Sequence, residues 1–334
     1  MRDKIKQSFC SFLKHLTCPI LLFHATYQSL PKNLNQKCHN VEPDNFYLIV
    51  KWLKDNFDIC FVDDLFNSQS IKNKAAITFD DGYISVLGEA IPILIELKIP
   101  STIYLNCSSL TNETFWRDKI RYILNNDLAS SFVRYLKCFD YDFVDSIDEN
   151  NLYDLTKTRR INSLWINKRL DEYLNKQNAV NETKSDFFCV TEMRDLLNHP
   201  LVRYGNHTYQ HVVLSSLEEC EQRNEIVSNH EKLESITTNV SKVFSIPFGG
   251  IEHINKSTLK ILNQSGYTGL LFTYNTVNFT VRKTYANLKF ADRLIVPNSL
   301  DGFKYNLLKG FMRPVKYNRE FKIISSYEKK HYRQ

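Results

Sequence analysis

Asp80 and Asp81 are neighbouring carboxylates, and His207 and His211 are histidines four residues apart. These are the side chains whose types and spacing could do chemistry. Ala75-Ala76-Ile77-Thr78-Phe79 is an apolar run of strand length, and it ends in Asp80-Asp81-Gly82-Tyr83, where Gly82 breaks the pattern. Side chains alternate along a strand, so the two aspartates should point in different directions, one free to hold a metal while the other handles a proton. Two acids leaving an apolar strand are costly to place unless something offsets their charge. An Asx-rich turn that caps the following helix is the competing reading. His-x-x-x-His sets both imidazoles on one face of a helical turn or a tight loop. With one carboxylate they make a zinc set with an open fourth position, or a 2-His-1-carboxylate iron site. Two unrelated histidines are the alternative.

The elements around these residues alternate. Pro19-Ile20-Leu21-Leu22-Phe23 reads as a first buried strand with His24 at its C-terminal end, and Glu42 to Phe57 reads as a helix. The Asp-Asp strand follows, then a helix from Ser85 to Leu97 that Pro92 should kink;. Ser101 to Leu105, Leu201 to Tyr204, Val243 to Ile246, Thr268 to Thr273 and Leu294 to Val296 read as further strands. Thr191 is expected to cap a helix reaching Asn198, Ser215 to Glu219 offers overlapping capping boxes, Asn255 caps a helix that ends at Gly266, and a short helix lies near Phe303 to Leu308;. Between about 107 and 188 the pattern turns charged and helical, over Trp116–Leu124, Ser131–Cys138 and Leu152–Leu174, which reads as an insertion. Strands alternating with helices imply parallel pairing. Polar candidates recurring at strand C-termini favour a barrel, whose active sites assemble at that end. Residues 1–315 are expected to form one such domain, with 316–334 a polar, basic tail.

Composition sets limits. A chain of 334 residues with 43% hydrophobic and 13% aromatic content is globular and can bury a sizeable core;. A net charge of +6, spread along the chain, does not point to a nucleic-acid protein;. Eight scattered cysteines without a Cys-x-x-Cys pair read as buried thiols;. The first seventeen residues are interrupted by Lys and His and lack the apolar stretch of a signal peptide;. No stretch has the ~20 apolar residues of a spanning helix. A cytoplasmic protein is the expectation. Ile5, Phe9, Leu13 and Leu16 share a helical face beside Lys4, Lys6 and Lys14, a face able to pack on the domain or to rest on a membrane surface;.

Thr78-Phe79-Asp80-Asp81-Gly82-Tyr83, His207-Thr208-Tyr209-Gln210-His211 and Ser245-Ile246-Pro247-Phe248-Gly249, in that order, resemble the three motifs of the polysaccharide deacetylases. That family is carbohydrate esterase family four, which shares the NodB homology domain. The motifs are T-F-D-D-G-Y, H-[ST]-x-x-H and R-x-P-[YF]-G, and the last departs here at its arginine, where Ser245 stands. The resemblance covers roughly 17–27, 74–106 and 190–297. It implies an α/β fold, a distorted (β/α) barrel with fewer than eight strands. It further implies that Asp81, His207 and His211 hold a divalent metal, most often zinc, and that Asp80 is the general base. A divalent ion lowers the pKa of a bound water towards neutrality, and a carboxylate beside it can take the proton. The oxyanion falls to the metal and a backbone N–H, for which Phe248 in the Pro247 turn is the candidate.

The family usually draws its general acid from a histidine after a late strand, and neither His253 nor His331 fits. Ile20 to His24 instead resembles the opening strand of a subset in which the acid's motif comes first. A closed barrel lets a first strand occupy the place of a last one, so His24 is the expected acid. Its ordinary pKa suits the role; a strand-capping histidine is the alternative. Arg293 is the candidate substitute for the missing arginine. Tyr83 is assigned to the substrate site, and Trp116, Tyr104 and Tyr209 are candidates to stack on sugar rings or to pack in the core. The implied activity is removal of N-acetyl groups from a sugar in a glycan, lipid-linked or nucleotide-linked saccharide during surface polysaccharide synthesis. An O-deacetylase or amidohydrolase, or an inactive sugar-binding module, are the other readings.

Overall fold

The computed structural model describes residues 15–34, 37–111, 113–183 and 190–313. The segment carrying Ile5, Phe9 and Leu13, and the tail at 316–334, lie outside the described residues. Among the described residues ten strands run in chain order: β1 (Ile20–Phe23), β2 (Asp58–Ile59), β3 (Lys74–Phe79), β4 (Ser101–Leu105), β5 (Val202–Asn206), β6 (Val243–Ser245), β7 (Gly269–Phe272), β8 (Arg282–Tyr285), β9 (Leu288–Asp292) and β10 (Leu294–Ile295). One sheet has the order β10-β1-β3-β4-β5 with β2 beside β3, all parallel. The other is β6-β7-β9-β8, in which β8 is the antiparallel member.

The two sheets join on both sides. β9 and β10 are one path interrupted at Arg293. At the opposite edge Tyr204 of β5 donates its N–H to the Asn239 carbonyl at 2.9 Å and accepts from Ser241 N–H at 2.8 Å, just ahead of β6. A ring of parallel strands results, through β1, β3, β4, β5, β6, β7 and the β9–β10 path. It is the barrel with fewer than eight strands that the sequence led us to expect.

Every residue of β1 and β4 is buried, as parallel strands covered on both faces require. Ile20, Ala76, Tyr104, Val243, Leu271 and Ala291 form one apolar cluster with Phe66. Phe66 belongs to the helix Val62–Asn67, which plugs the N-terminal end of the ring. A Cβ on Gly205 would come within 2.3 Å of the Tyr104 ring, so β5 must carry glycine there. All the strand C-termini with candidate polar groups open at the other end.

Several boundaries differ from the sequence expectation. Residues 85–97 form a π-helical turn over Val86–Ala90 followed by an α-helix over Ile91–Glu96. Pro92 has no N–H for the ladder, and the wider turn relieves its clash with the preceding carbonyl. Leu152–Leu174 splits into Leu152–Leu155 and Ser163–Lys176, because the Asn162 side chain caps the Leu164 and Trp165 amides. Thr191 lies inside the short helix Val190–Met193 and does not cap it. Ser215 and Ser216 fall in a 3₁₀ turn, and the long helix Glu219–Ile236 starts at an N-cap Glu218, whose N–H is taken by the Glu221 carboxylate at 3.0 Å. The last helix is longer than expected, Leu300–Phe311. The cysteines are not uniformly buried either: Cys18 and Cys107 are, whereas Cys138 and Cys220 are exposed. No helix among the described residues is long and apolar enough to cross a membrane.

Candidate metal centre and active-site cavity

Asp80 follows the last residue of β3 and is 2% exposed. Arg293 reaches it from between β9 and β10, donating Nη1–H to Oδ1 at 2.7 Å and Nη2–H to Oδ2 at 2.8 Å. Ser245, at the position of the missing motif arginine, donates its hydroxyl to Asp80 Oδ1 at 3.1 Å. Burial pushes the Asp80 carboxyl up, but the Arg293 guanidinium outweighs it and holds the group at about 2. Asp80 is therefore a fixed, ionised carboxylate at any physiological pH. Asp292, which the sequence reading passed over, sets the Arg293 backbone: it accepts from Arg293 N–H at 2.9 Å and from Thr276 Oγ1 at 2.6 Å.

Strand alternation predicts that Asp81 faces away from Asp80. It faces the same cavity. Asp81 takes a left-handed backbone with φ 72°, and Gly82 follows at φ 100°, so the chain leaves the strand and swings Asp81 back. Its Oδ1 lies 3.6 Å from His207 Nε2 and 3.4 Å from His211 Nε2. The ligand atoms of these three residues all lie within 4.8 Å of one another.

The residues fit a divalent cation. Asp81 Oδ1 and His211 Nδ1 are buried without a hydrogen-bond partner. Burial, then the Asp80 charge, push the Asp81 carboxyl up to about 8, a cost that a cation at this point would remove;. Burial pushes both imidazoles down, keeping them in the neutral form that ligates metal;. His207 Nδ1 sits 2.9 Å from the Ser245 carbonyl, which orients Nε2 towards the carboxylates;. The donor set matches zinc, and equally a facial iron site.

The two histidines are presented by a loop, not a helical turn. Thr208 and His211 both have left-handed backbones, at φ 63° and 57°, and for a β-branched threonine that is strained. Buried polar groups hold it. Asn206 Oδ1 accepts from Thr208 N–H at 2.9 Å and from Asn229 Nδ2 at 2.8 Å, and Asn106 Nδ2 donates to the carbonyls of His207 and Thr208 at 2.5 and 3.0 Å. Glu225 accepts from Gln210 N–H at 2.8 Å, and burial pushes its carboxyl up to about 7. Only the fold reveals these supports, since they come from the end of β5, from the residue after β4 and from the helix Glu219–Ile236.

A cavity of about 300 Å³ lies over the four acid and histidine residues, with His24, Phe248 and His253 also on its wall. His24 Nδ1 is 3.0 Å from His39 Nδ1, and His39 Nε2 is 2.7 Å from the Val296 carbonyl. A carbonyl only accepts, so His39 carries its proton on Nε2, and its Nδ1 accepts a hydrogen bond from His24 Nδ1–H. His24 Nε2 is left without one. Burial, then the His39 ring, push the His24 pKa well down, so it is not the near-neutral titrating group the sequence suggested. His253 shares the cavity, contrary to its dismissal on sequence order, but its Nδ1 accepts from Gly250 N–H at 2.9 Å. His331 lies outside the described residues. Phe248 has φ 62°, and its ring centroid is 4.5 Å from that of His211, while Pro247 is buried in the same turn.

Tyr83 is not among the residues that line the cavity. It is fully buried, and its hydroxyl accepts from Arg121 Nη1–H at 3.0 Å, tying the first motif to the helix Trp116–Asn125. Trp116 is 2% exposed and donates Nε1–H to the His211 carbonyl at 3.1 Å, and Tyr104 is in the barrel interior. Tyr209 packs against the main core. These aromatics went to packing because each had apolar surface within reach, and no sugar-stacking face remains on Trp116 or Tyr104.

Residues 156–270 match the family model described as polysaccharide deacetylase. That stretch includes both histidines and the Pro247 turn and leaves out Asp80 and Asp81. No curated protein matches the chain. Among solved structures, the Streptococcus pyogenes deacetylase PplD in complex with acetate is 15% identical with TM-score 0.54, covering 88% of this chain and 97% of that one. BC0361, a polysaccharide deacetylase from Bacillus cereus, is 15% identical with TM-score 0.56, covering 87% and 68%. A de-N-acetylase from Aggregatibacter actinomycetemcomitans is 14% identical with TM-score 0.53, covering 87% and 99%. At these identities the likeness is one of fold.

Proposed function

We propose that this chain, whose residues 156–270 match the polysaccharide deacetylase family model, is a metal-dependent N-deacetylase of an acetamido sugar, working in the assembly of a surface polysaccharide. The observation that carries this reading is the convergence of Asp81, His207 and His211 on one point with Asp80 3.5 Å from His207 Nε2. The descriptions of the solved relatives as deacetylase and de-N-acetylase agree with it.

Asp81, His207 and His211 would hold a divalent ion, zinc by preference, which when bound activates water and polarises the acetyl carbonyl. Asp80, locked by Arg293 and Ser245, stays ionised and accepts the proton of the attacking water. The Phe248 N–H, turned by its left-handed backbone, is assigned to the oxyanion. His24, whose Nε2 is unprotonated at rest, takes up the proton that Asp80 accepted from the water and passes it to the departing amine. Arg293 supplies the cation whose absence from the third motif had suggested an inactive sugar-binding module, so that alternative loses its ground. A cytoplasmic setting, with a precursor rather than a mature wall polymer as substrate, is part of the proposal; fractionation that finds the protein outside the cytoplasm removes that part.

The test is acetate release from N-acetylhexosamine substrates by zinc-supplied wild type beside Asp80→Asn. Turnover should vanish in the variant. Equal turnover in both removes the mechanism.

A further inference from the structure

The cavity has a second wall, and its charge is one-sided. Lys37, Arg117, Arg121 and Lys157 stand on it, while the carboxylates lining the cavity among the described residues are Asp80 and Asp81. Asp80 is already answered by Arg293. Arg121 pairs with the buried Asp118. Arg117 is 2% exposed and makes no ion pair among the described residues; it donates Nη1–H to Thr156 Oγ1 at 2.9 Å and Nη2–H to the Tyr153 carbonyl at 3.0 Å, both neutral acceptors.

Three of these cations surround one ring. The Arg117 guanidinium carbon, Lys37 Nζ and Lys157 Nζ lie 4.4, 4.6 and 3.9 Å from the Tyr153 centroid. A ring face attracts each cation weakly, whereas like charges gathered about one ring repel one another. The nearest counter-charge, Asp154, is 3.8 Å from Lys37 and 3.7 Å from Lys157, but its side chain is 70% exposed and screened;. Burial pushes even Arg117 down to about 10. Arg117 is thus a buried, uncompensated guanidinium beside the reaction site, the setting in which an anion binds with most effect.

Resting on the deacetylase reading, we propose that this wall takes an anionic substituent, a phosphate or carboxylate carried on or beside the acetamido sugar. One cavity of about 300 Å³ holds both the Asp80–Asp81 tip and the cationic wall, so a single sugar unit with its charged group can reach both. The wall comes from the helical segment between β4 and β5 and from the loop after β1, so the specificity is set outside the three motifs.

The experiment uses the full chain supplied with zinc and three probes: the neutral methyl glycoside of N-acetylglucosamine, N-acetylglucosamine 1-phosphate, and N-acetylmuramic acid. We expect kcat/KM for one or both charged sugars to exceed that of the neutral one by about tenfold or more, the equivalent of one unit in log affinity. The better of the two tells phosphate from carboxylate. In Lys157→Gln that charged-to-neutral ratio should fall several-fold, mainly through KM, as it should when ionic strength is raised. Arg117→Lys, which keeps charge but not the fork, should lower it too. A ratio near one, or one that Lys157→Gln leaves unchanged, overturns the inference while leaving the deacetylase reading intact. Acetate released from none of the three overturns both.

Discussion

Arg293 grips Asp80 through both guanidinium nitrogens, at 2.7 and 2.8 Å, across a sequence separation of 213 residues. The position that the family's third motif gives to arginine is Ser245, on β6, and the cation arrives from the β9–β10 path instead. Both residues touch the same carboxylate. In the proposed mechanism the orienting role that the resemblance gives to the motif arginine is thereby served from another strand of the ring.

Removing that grip should be costly in two ways. Arg293→Ala leaves a buried carboxylate without its cation, a change worth about 3–5 kcal/mol in stability, readable by chemical denaturation. Arg293→Lys keeps a charge but cannot make the paired contact, and we expect kcat to fall about 100-fold from misplacement of the base. Wild-type turnover in Arg293→Lys would show that Asp80 needs no such clamp.

The metal centre makes a prediction that activity alone does not carry. Elemental analysis of His207→Ala, and of His211→Ala, should show the divalent ion lost, and chelation of the wild type should abolish acetate release until zinc is restored. The melting temperature should rise on adding zinc to the stripped wild type, because the ion binds the folded state. Full metal occupancy in His207→Ala discards the ligand set.

His24 and His39 should separate into acid and support. His24→Ala is expected to lower kcat by about 100-fold or more with metal retained, the usual size of a lost proton relay. His39→Phe removes the acceptor that fixes the His24 tautomer and should cost about tenfold, with a changed pH profile because the ring that lowers the His24 pKa has gone. Near-normal turnover in His24→Ala would return it to the role of a strand-capping residue.

Glu225 should make stability depend on pH. Its folded pKa, about 7, lies above the unfolded value of 4.5. Its contribution is complete below pH 4.5 and is lost as pH rises through 7, up to on the order of 3 kcal/mol. Glu225→Gln should flatten that part of the profile between pH 5 and 8 in denaturant titrations. A profile as steep as the wild type's would mean that another group governs it.

Local pattern was enough for much of this protein. The apolar run before Asp80, the spacing of His207 and His211, and the alternation of strands with helices announced a parallel barrel with its chemistry at the strand C-termini. Those features depend on period and on neighbouring residues, which a chain states directly. Tertiary structure decided the rest. Only the left-handed backbone at Asp81 returns both acids to one cavity, where alternation alone would part them. Closure of the ring brings Arg293 to Asp80, while the packing of the loop after β1, of the β4–β5 pair and of the helix Glu219–Ile236 brings His39 to His24 and sets Asn106 and Glu225 beneath the histidine loop. Tyr83 shows the converse: a motif aromatic that reads as a substrate contact is buried, and its hydroxyl accepts from Arg121, on a helix the motif does not mention. Pairings of that kind are set by register and packing among distant segments, and residue order does not contain them.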